Sequence, residues 1–114
     1  MKKFMVLYMA PSAQFEAAMA SVTPEQQQKG MAAWMAWMQA NKASLVEGGA
    51  PLGKTRRVDA DGARDARNDV GGYSIVQAES LDAAAKLVAK DHPHLKLMPG
   101  GWIEVMEIRE MPGM

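Results

Sequence analysis

Lys3-Phe4-Met5-Val6-Leu7-Tyr8-Met9-Ala10-Pro11 is the stretch that decides the fold. Phe4, Val6 and Tyr8 alternate with Met5, Leu7 and Met9, so an extended chain sends one apolar set to each side of a sheet. A strand that is apolar on both sides belongs in the middle of a sheet covered on both faces. Pro11 ends it, because proline has no N–H to give to a ladder. Lys2 and Lys3 ahead of an apolar run imitate a signal peptide. The run is short, however, and Pro11, Gln14 and Glu16 follow where a hydrophobic region would continue. The stretch is therefore expected to be the first strand of a cytoplasmic protein. No segment is long enough to span a bilayer.

Working outward, residues 12–22 are alanine-rich and read as a short helical turn. Thr23-Pro24-Glu25-Gln26 starts a helix: Thr23 caps, Pro24 takes the first helical position and Gln26 completes a capping box. Met31, Trp34, Met35 and Met38 recur at helical spacing and are expected to form the core stripe. Trp37 lies off it, at a cavity or subunit contact. Leu45-Val46, bounded by Gly48-Gly49, is a short second strand. Residues 49–71 form a long loop or small hairpin, with Lys54 to Val58 pairing Ala63 to Arg67 across Ala60-Asp61-Gly62. Tyr73 to Ala78 is a strand, Ser80 caps a helix ending near Lys90, and Trp102 to Ile108 is the last strand. The pairs Gly48-Gly49, Gly71-Gly72 and Gly100-Gly101 read as turns and bulges. Residues 110–114 are a tail.

This order predicts one α+β domain over 1–114: ferredoxin-like βαββαβ, with a four-stranded antiparallel sheet of order 4-1-3-2 and two helices on one face. The other face keeps apolar side chains, such as Val76 and Val105 or their neighbours. Pairing two copies through this open sheet face would cover them.

Composition excludes several classes. The 114 residues carry 13 basic and 13 acidic side chains, so neither a nucleic-acid surface nor an acidic tail is indicated. There is no cysteine, hence no disulfide framework, thiol nucleophile or thiolate metal site. The only histidines, His92 and His94, lack a third strong ligand at a diagnostic spacing, and no metal is expected.

The opening strand, Thr23-Pro24-Glu25-Gln26, Gly30-Met31-Ala32-Ala33-Trp34-Met35-Ala36-Trp37, Gly72-Tyr73-Ser74-Ile75, His92-Pro93-His94-Leu95 and Ile103-Glu104-Val105-Met106-Glu107 together resemble the YCII-related family. So does the ending Met111 to Met114. The resemblance implies a dimeric α/β barrel. For part of the family it implies a catalytic histidine–aspartate pair and lactone or dehalogenation chemistry, and for others a module beside sigma-factor sequences. Where a large branch carries Asp-Gly-Pro-Phe, this chain has Asp65-Ala66-Arg67-Asn68-Asp69.

The topology gathers Tyr8, Glu47, Tyr73, Asp91, His92, His94 and Trp102 at one end of the sheet, where the 49–71 loop starts and finishes. Convergent polar groups at one mouth are what a small-molecule site needs. His94, His92 and Asp91 are the catalytic candidates: a histidine as acid or base, oriented by Asp91 or Glu47. Tyr8, Glu47, Arg56, Tyr73, Trp37, Trp102 and Glu104 are the substrate-binding candidates, with Arg56 and Arg57 placed to clamp an anion. The plainer reading makes Asp91-His92-Pro93-His94 a helix exit. Glu104 is an acid on an otherwise apolar strand face, and a partner-subunit arginine is the plainer account of it.

The leading expectation is a homodimeric small-molecule enzyme or binder doing proton-transfer chemistry such as elimination or isomerisation, without a redox cofactor. A non-catalytic interaction or regulatory dimer is the first alternative, favoured by a filled mouth. A dimeric-barrel monooxygenase or haem-type protein is the second, and needs a histidine facing a large cavity.

Overall fold

The computed structural model describes residues 1–112. The chain runs β1 (Lys2–Met9), α1 (Ser12–Ser21), α2 (Pro24–Ala40), β2 (Leu45–Pro51), β3 (Thr55–Asp59), β4 (Gly62–Ala66), β5 (Val70–Ala78), α3 (Leu81–Ala89), α4 (Pro93–Leu97) and β6 (Trp102–Glu107). It is a mixed α/β fold. One antiparallel sheet holds four strands in the order β2-β5-β1-β6, and β3 and β4 form a separate two-stranded sheet. The hairpin takes two numbers in the count, so the sheet strands carry the labels 2, 5, 1 and 6.

Pairing of Phe4 with Val76, Val6 with Ser74 and Val6 with Val105 puts these residues on one face. Trp37 of α2 and Ala84 and Val88 of α3 pack against that face and complete the core. Val76 and Val105 thus belong to the covered face, not the open one. The open face carries Met5, Leu7, Ile75 and Met106 instead: Met5 pairs with both Ile75 and Met106. Met106 stays 47% exposed, so this face remains apolar and uncovered in one chain.

Local signals place most elements. The Thr23 hydroxyl accepts the Gln26 N–H and the Gln26 side chain accepts the Thr23 N–H, closing the capping box. The hairpin forms with Thr55 opposite Ala66 and Asp59 opposite Gly62. Three further expectations need correction. Residues 12–21 make a full helix rather than a turn. The inward stripe of α2 is rotated: Trp37 is buried to 5% exposure with Trp34 and Met38 beside it, while Met31 and Met35 are 62% and 63% exposed. Trp37 is therefore core and flanks no open cavity; its ring lies 4.4 Å from that of His92.

The third correction concerns Asp91-His92-Pro93-His94, which opens a helix rather than closing one. α3 ends at Ala89, and Asp91 adopts the left-handed conformation with φ of 53°. Asp is among the few non-glycine residues that visit this region readily. His92 then caps α4, with Pro93 in its first turn. The tail prediction at 110–114 extends to Gly113 and Met114, which lie outside the described residues.

Candidate functional site

The residues expected at one mouth are at one end of the sheet but on two faces. Strand parity decides this. Tyr8 faces the helices, whereas Leu7 pairs with Tyr73 and with Glu104 on the open face.

On the covered face, Tyr8, Trp34, Trp37, His92 and His94 form one aromatic cluster. The Tyr8 ring lies 4.8 Å from Trp34, 5.0 Å from His92 and 5.6 Å from His94. Trp34 meets His92 edge-on at 4.9 Å. Edge-to-face and tilted contacts at these separations suit the ring quadrupoles. The Tyr8 hydroxyl donates to Ser74 Oγ at 2.8 Å, and Ser74 Oγ donates to the Gly48 carbonyl at 2.8 Å. Burial pushes the Tyr8 phenol up to about 12, partly offset by its bond to Ser74.

The histidines have defined tautomers. His94 Nε2 lies 2.7 Å from the Met9 carbonyl oxygen. A carbonyl only accepts, so Nε2 holds the proton and Nδ1 holds the lone pair. Among the described residues, Nδ1 meets no hydrogen-bond partner. Gly101 packs on the same ring: a Cβ there would stand 3.0 Å from Nε2. His92 is the reverse. Its Nδ1 accepts the His94 backbone N–H at 3.1 Å, so its proton sits on Nε2. That Nε2–H and the Trp37 indole N–H are buried without a partner among the described residues. His92 is 0% exposed, and burial lowers its pKa to about 4, with the neighbouring His94 adding to the effect.

Two orienting roles do not hold. Asp91 turns outward and pairs with Lys96 at 3.3 Å, so it orients neither ring. Glu47 lies on the open face, where its carboxylate accepts the Tyr73 hydroxyl at 2.8 Å. That hydrogen bond, then the carboxylate charge, raises the Tyr73 pKa. Trp102 donates its indole N–H to Glu104 at 2.8 Å, giving the carboxylate one partner within the chain. Arg56 and Arg57 stand exposed on β3, paired within the hairpin with Asp65 at 3.2 Å and Asp59 at 3.4 Å. The haem-type reading required a histidine facing a large cavity. His92 is wedged among rings and is not such a histidine, while of the His94 ring only Nε2 is held, by Met9.

Sequence reasoning missed Ser74 and the Met9 carbonyl. Ser74 was legible: Val76 alternates with it, and a polar side chain at a core position demands a partner. The Met9 carbonyl carries no sequence signal. Among the described residues no three His, Cys, Asp or Glu side chains are grouped to hold a metal ion, and no helix is long and apolar enough to cross a membrane.

The family model for the YCII-related domain matches residues 1–112. The chain belongs to the YCII-related family. No curated protein matches it. Among solved structures it is similar to the 5-chloro-2-hydroxyhydroquinone dehydrochlorinase (TftG) from Burkholderia phenoliruptrix AC1100, in complex with 2,5-dihydroxybenzoquinone. The two are 21% identical over 90% of each chain, with a TM-score of 0.50. At that identity the likeness shows the shared fold. Within this YCII-related chain, the histidine–aspartate pairing implied for part of the family is not made by Asp91.

Proposed function

We propose that this chain is a homodimeric small-molecule enzyme or binder using histidine acid/base chemistry, with His94 as the proton acceptor. The observation that carries this reading is the fixed His94 tautomer: Met9 holds Nε2–H, leaving Nδ1 as a base without a partner among the described residues. His92 acts as a positioning residue, since its Nδ1 holds the His94 backbone N–H. Its own Nδ1 is occupied and its Nε2 protonated, so it has no free lone pair to offer. The reaction class is proton transfer next to a carbonyl or hydroxyl-bearing carbon, leading to elimination or isomerisation.

The test uses deuterium exchange at the ring C–H of 2,5-dihydroxybenzoquinone and related hydroxylated quinones in D2O, followed by NMR. The wild-type protein is expected to accelerate exchange, and His94→Gln to lower that acceleration about 100-fold, the lower end for a general base. Glutamine keeps an amide N–H for the Met9 carbonyl and removes the base, so the fold is retained. Undiminished exchange in His94→Gln sinks the role.

Dimerisation through the open sheet face, giving a dimeric α/β barrel, is part of this reading. Met5, Leu7, Ile75 and Met106 supply the apolar area. Leu7→Asp places a carboxylate at the centre of that face and is expected to weaken the dimer about 100-fold in sedimentation equilibrium, while far-UV circular dichroism stays native. A wild-type protein that sediments as a monomer at high concentration contradicts it.

The non-catalytic interaction module is favoured by one observation: the aromatic cluster is filled, with His92 fully enclosed. That reading predicts an intact dimer and no exchange catalysis in either protein.

A further inference from the structure

We propose that the cleft between α1 and the base of the β3–β4 hairpin binds a small carboxylate with an apolar body, at a site separate from the histidine cluster. The cleft is open on one side and offers about 560 Å³, within the range of small-molecule sites. Ala10, Phe15, Leu52 and Val70 give it apolar walls. Gly71 lets the Phe15 ring lie close on the strand: a Cβ there would stand 3.3 Å from the ring, which would have to shift by a few tenths of an ångström.

The walls are tied together. Asp69 accepts the Ala10 N–H through its carbonyl at 2.9 Å and the Ser12 N–H through Oδ1 at 3.0 Å. The Leu52 N–H donates to the Gly71 carbonyl at 3.0 Å, and the Val70 N–H to Asn68 Oδ1 at 2.9 Å. Asn68 in turn donates to Thr55 Oγ1 at 3.1 Å, closing the hairpin stem. A cleft built on such bonds is formed before any ligand arrives, which limits the ordering cost of binding.

Its charges favour an anion at one point. Three carboxylates border the cleft, and each is engaged: Glu16 with Arg67 at 3.4 Å, Asp65 with Arg56 at 3.2 Å, and Asp69 with the Ser12 N–H. Of the two bordering cations, Arg67 is paired and Lys54 forms no ion pair among the described residues. One free ammonium beside an apolar floor selects a monoanion with a hydrophobic body. The Glu16–Arg67 pair spans the two walls and competes with the ligand for Arg67.

That competition gives the test opposite signs in two variants. Sodium benzoate is titrated into 15N-labelled protein, with sodium chloride at matched ionic strength as control. Amide shifts are expected in residues 10–16, 52–55 and 66–71. Lys54→Gln is expected to weaken binding about fivefold, the scale of one exposed charge contact. Glu16→Gln frees Arg67 and is expected to tighten binding about threefold; loss of so exposed a pair leaves the fold intact. A gain of affinity is not what a merely structural role for Glu16 would produce. The proposal is overturned by shifts equal to those from chloride, by shifts confined to the histidine cluster, or by two variants that change affinity in the same direction.

Discussion

Lowering the pH from 7 to 4 is expected to remove about 3 kcal/mol of stability through His92 alone. The ring is enclosed by Tyr8, Trp34 and Trp37, with His94 as its titratable neighbour beside Tyr8. An imidazolium there loses its water and gains little in return, which is why its pKa falls from 6.5 to about 4. The unfolded chain takes up this proton as pH drops through 6.5, whereas the folded chain resists until about 4. Between those values the unfolded state binds more protons, so stability rises with pH there. The contribution is complete above pH 6.5 and is lost as pH falls toward 4. Urea unfolding midpoints measured from pH 7.5 to 4 check this. His92→Asn keeps an acceptor for the His94 N–H and removes the titration. It is expected to start less stable at pH 7.5 and to flatten the pH dependence over this window. Equal slopes in the two proteins would show that other groups carry the acid sensitivity. The same enclosure bears on function: at neutral pH His92 is an uncharged hydrogen-bonding strut, and proton transfer falls to His94.

Much of this architecture was legible because local chemistry and periodicity agreed. The Thr23 to Gln26 capping box, the two apolar sets of β1 and the Ala60-Asp61-Gly62 turn each form where their residues demand. The rotation of α2 was not legible. Ala, Met and Trp populate several sides of that helix, so the stripe of Met31, Trp34, Met35 and Met38 looked as good as one through Trp34, Trp37 and Met38. Contact with His92, distant in sequence, decides between them. The same applies to the site. The sequence reading gathered Tyr8, Tyr73, His92, His94 and Trp102 at one end of the sheet, but which face each takes depends on register. Leu7, not Tyr8, stands opposite Tyr73, and that single-residue offset puts Tyr73 on the open face, away from Tyr8. The α4 helix had a usable signal in Pro93, since proline suits the first turn as well as it stops a preceding helix.

The largest effect of a single methyl group is expected at Gly49→Ala. Gly48-Gly49 reads as a bulge in sequence, and β2 shifts register between Glu47 and Ala50 as it passes β5. Gly49 has φ of 77°, and a Cβ there would come 1.7 Å from the Tyr73 carbonyl oxygen and 2.6 Å from its carbon. Those atoms are backbone in the neighbouring strand, so no side-chain rotation relieves the contact. β2 has to move off β5 or lose its left-handed turn. Overpacking of this kind costs roughly 1–3 kcal/mol or more. The left-handed conformation adds about 1 kcal/mol for a residue with a Cβ. The total, about 3 kcal/mol or more, corresponds to a fall in Tm above ~10 °C for a chain of this size. Gly48→Ala is the matched control. Its Cβ would meet only the Met38 sulfur, at an ordinary 3.4 Å, and Gly48 is not among the residues of positive φ. That variant is expected to stay within about 1 kcal/mol of wild type. Displacing β2 also breaks the Ser74 bond to the Gly48 carbonyl and the Tyr73 bond to Glu47, so the Ser74 hydroxyl that accepts from Tyr8 loses the acceptor that orients it. Gly49→Ala should therefore disturb the His92 and His94 side-chain NMR signals as well as the melting temperature, while Gly48→Ala leaves both near wild type. Equal melting temperatures for the two variants would mean that the bulge yields cheaply and that β2 does not hold the aromatic cluster in place.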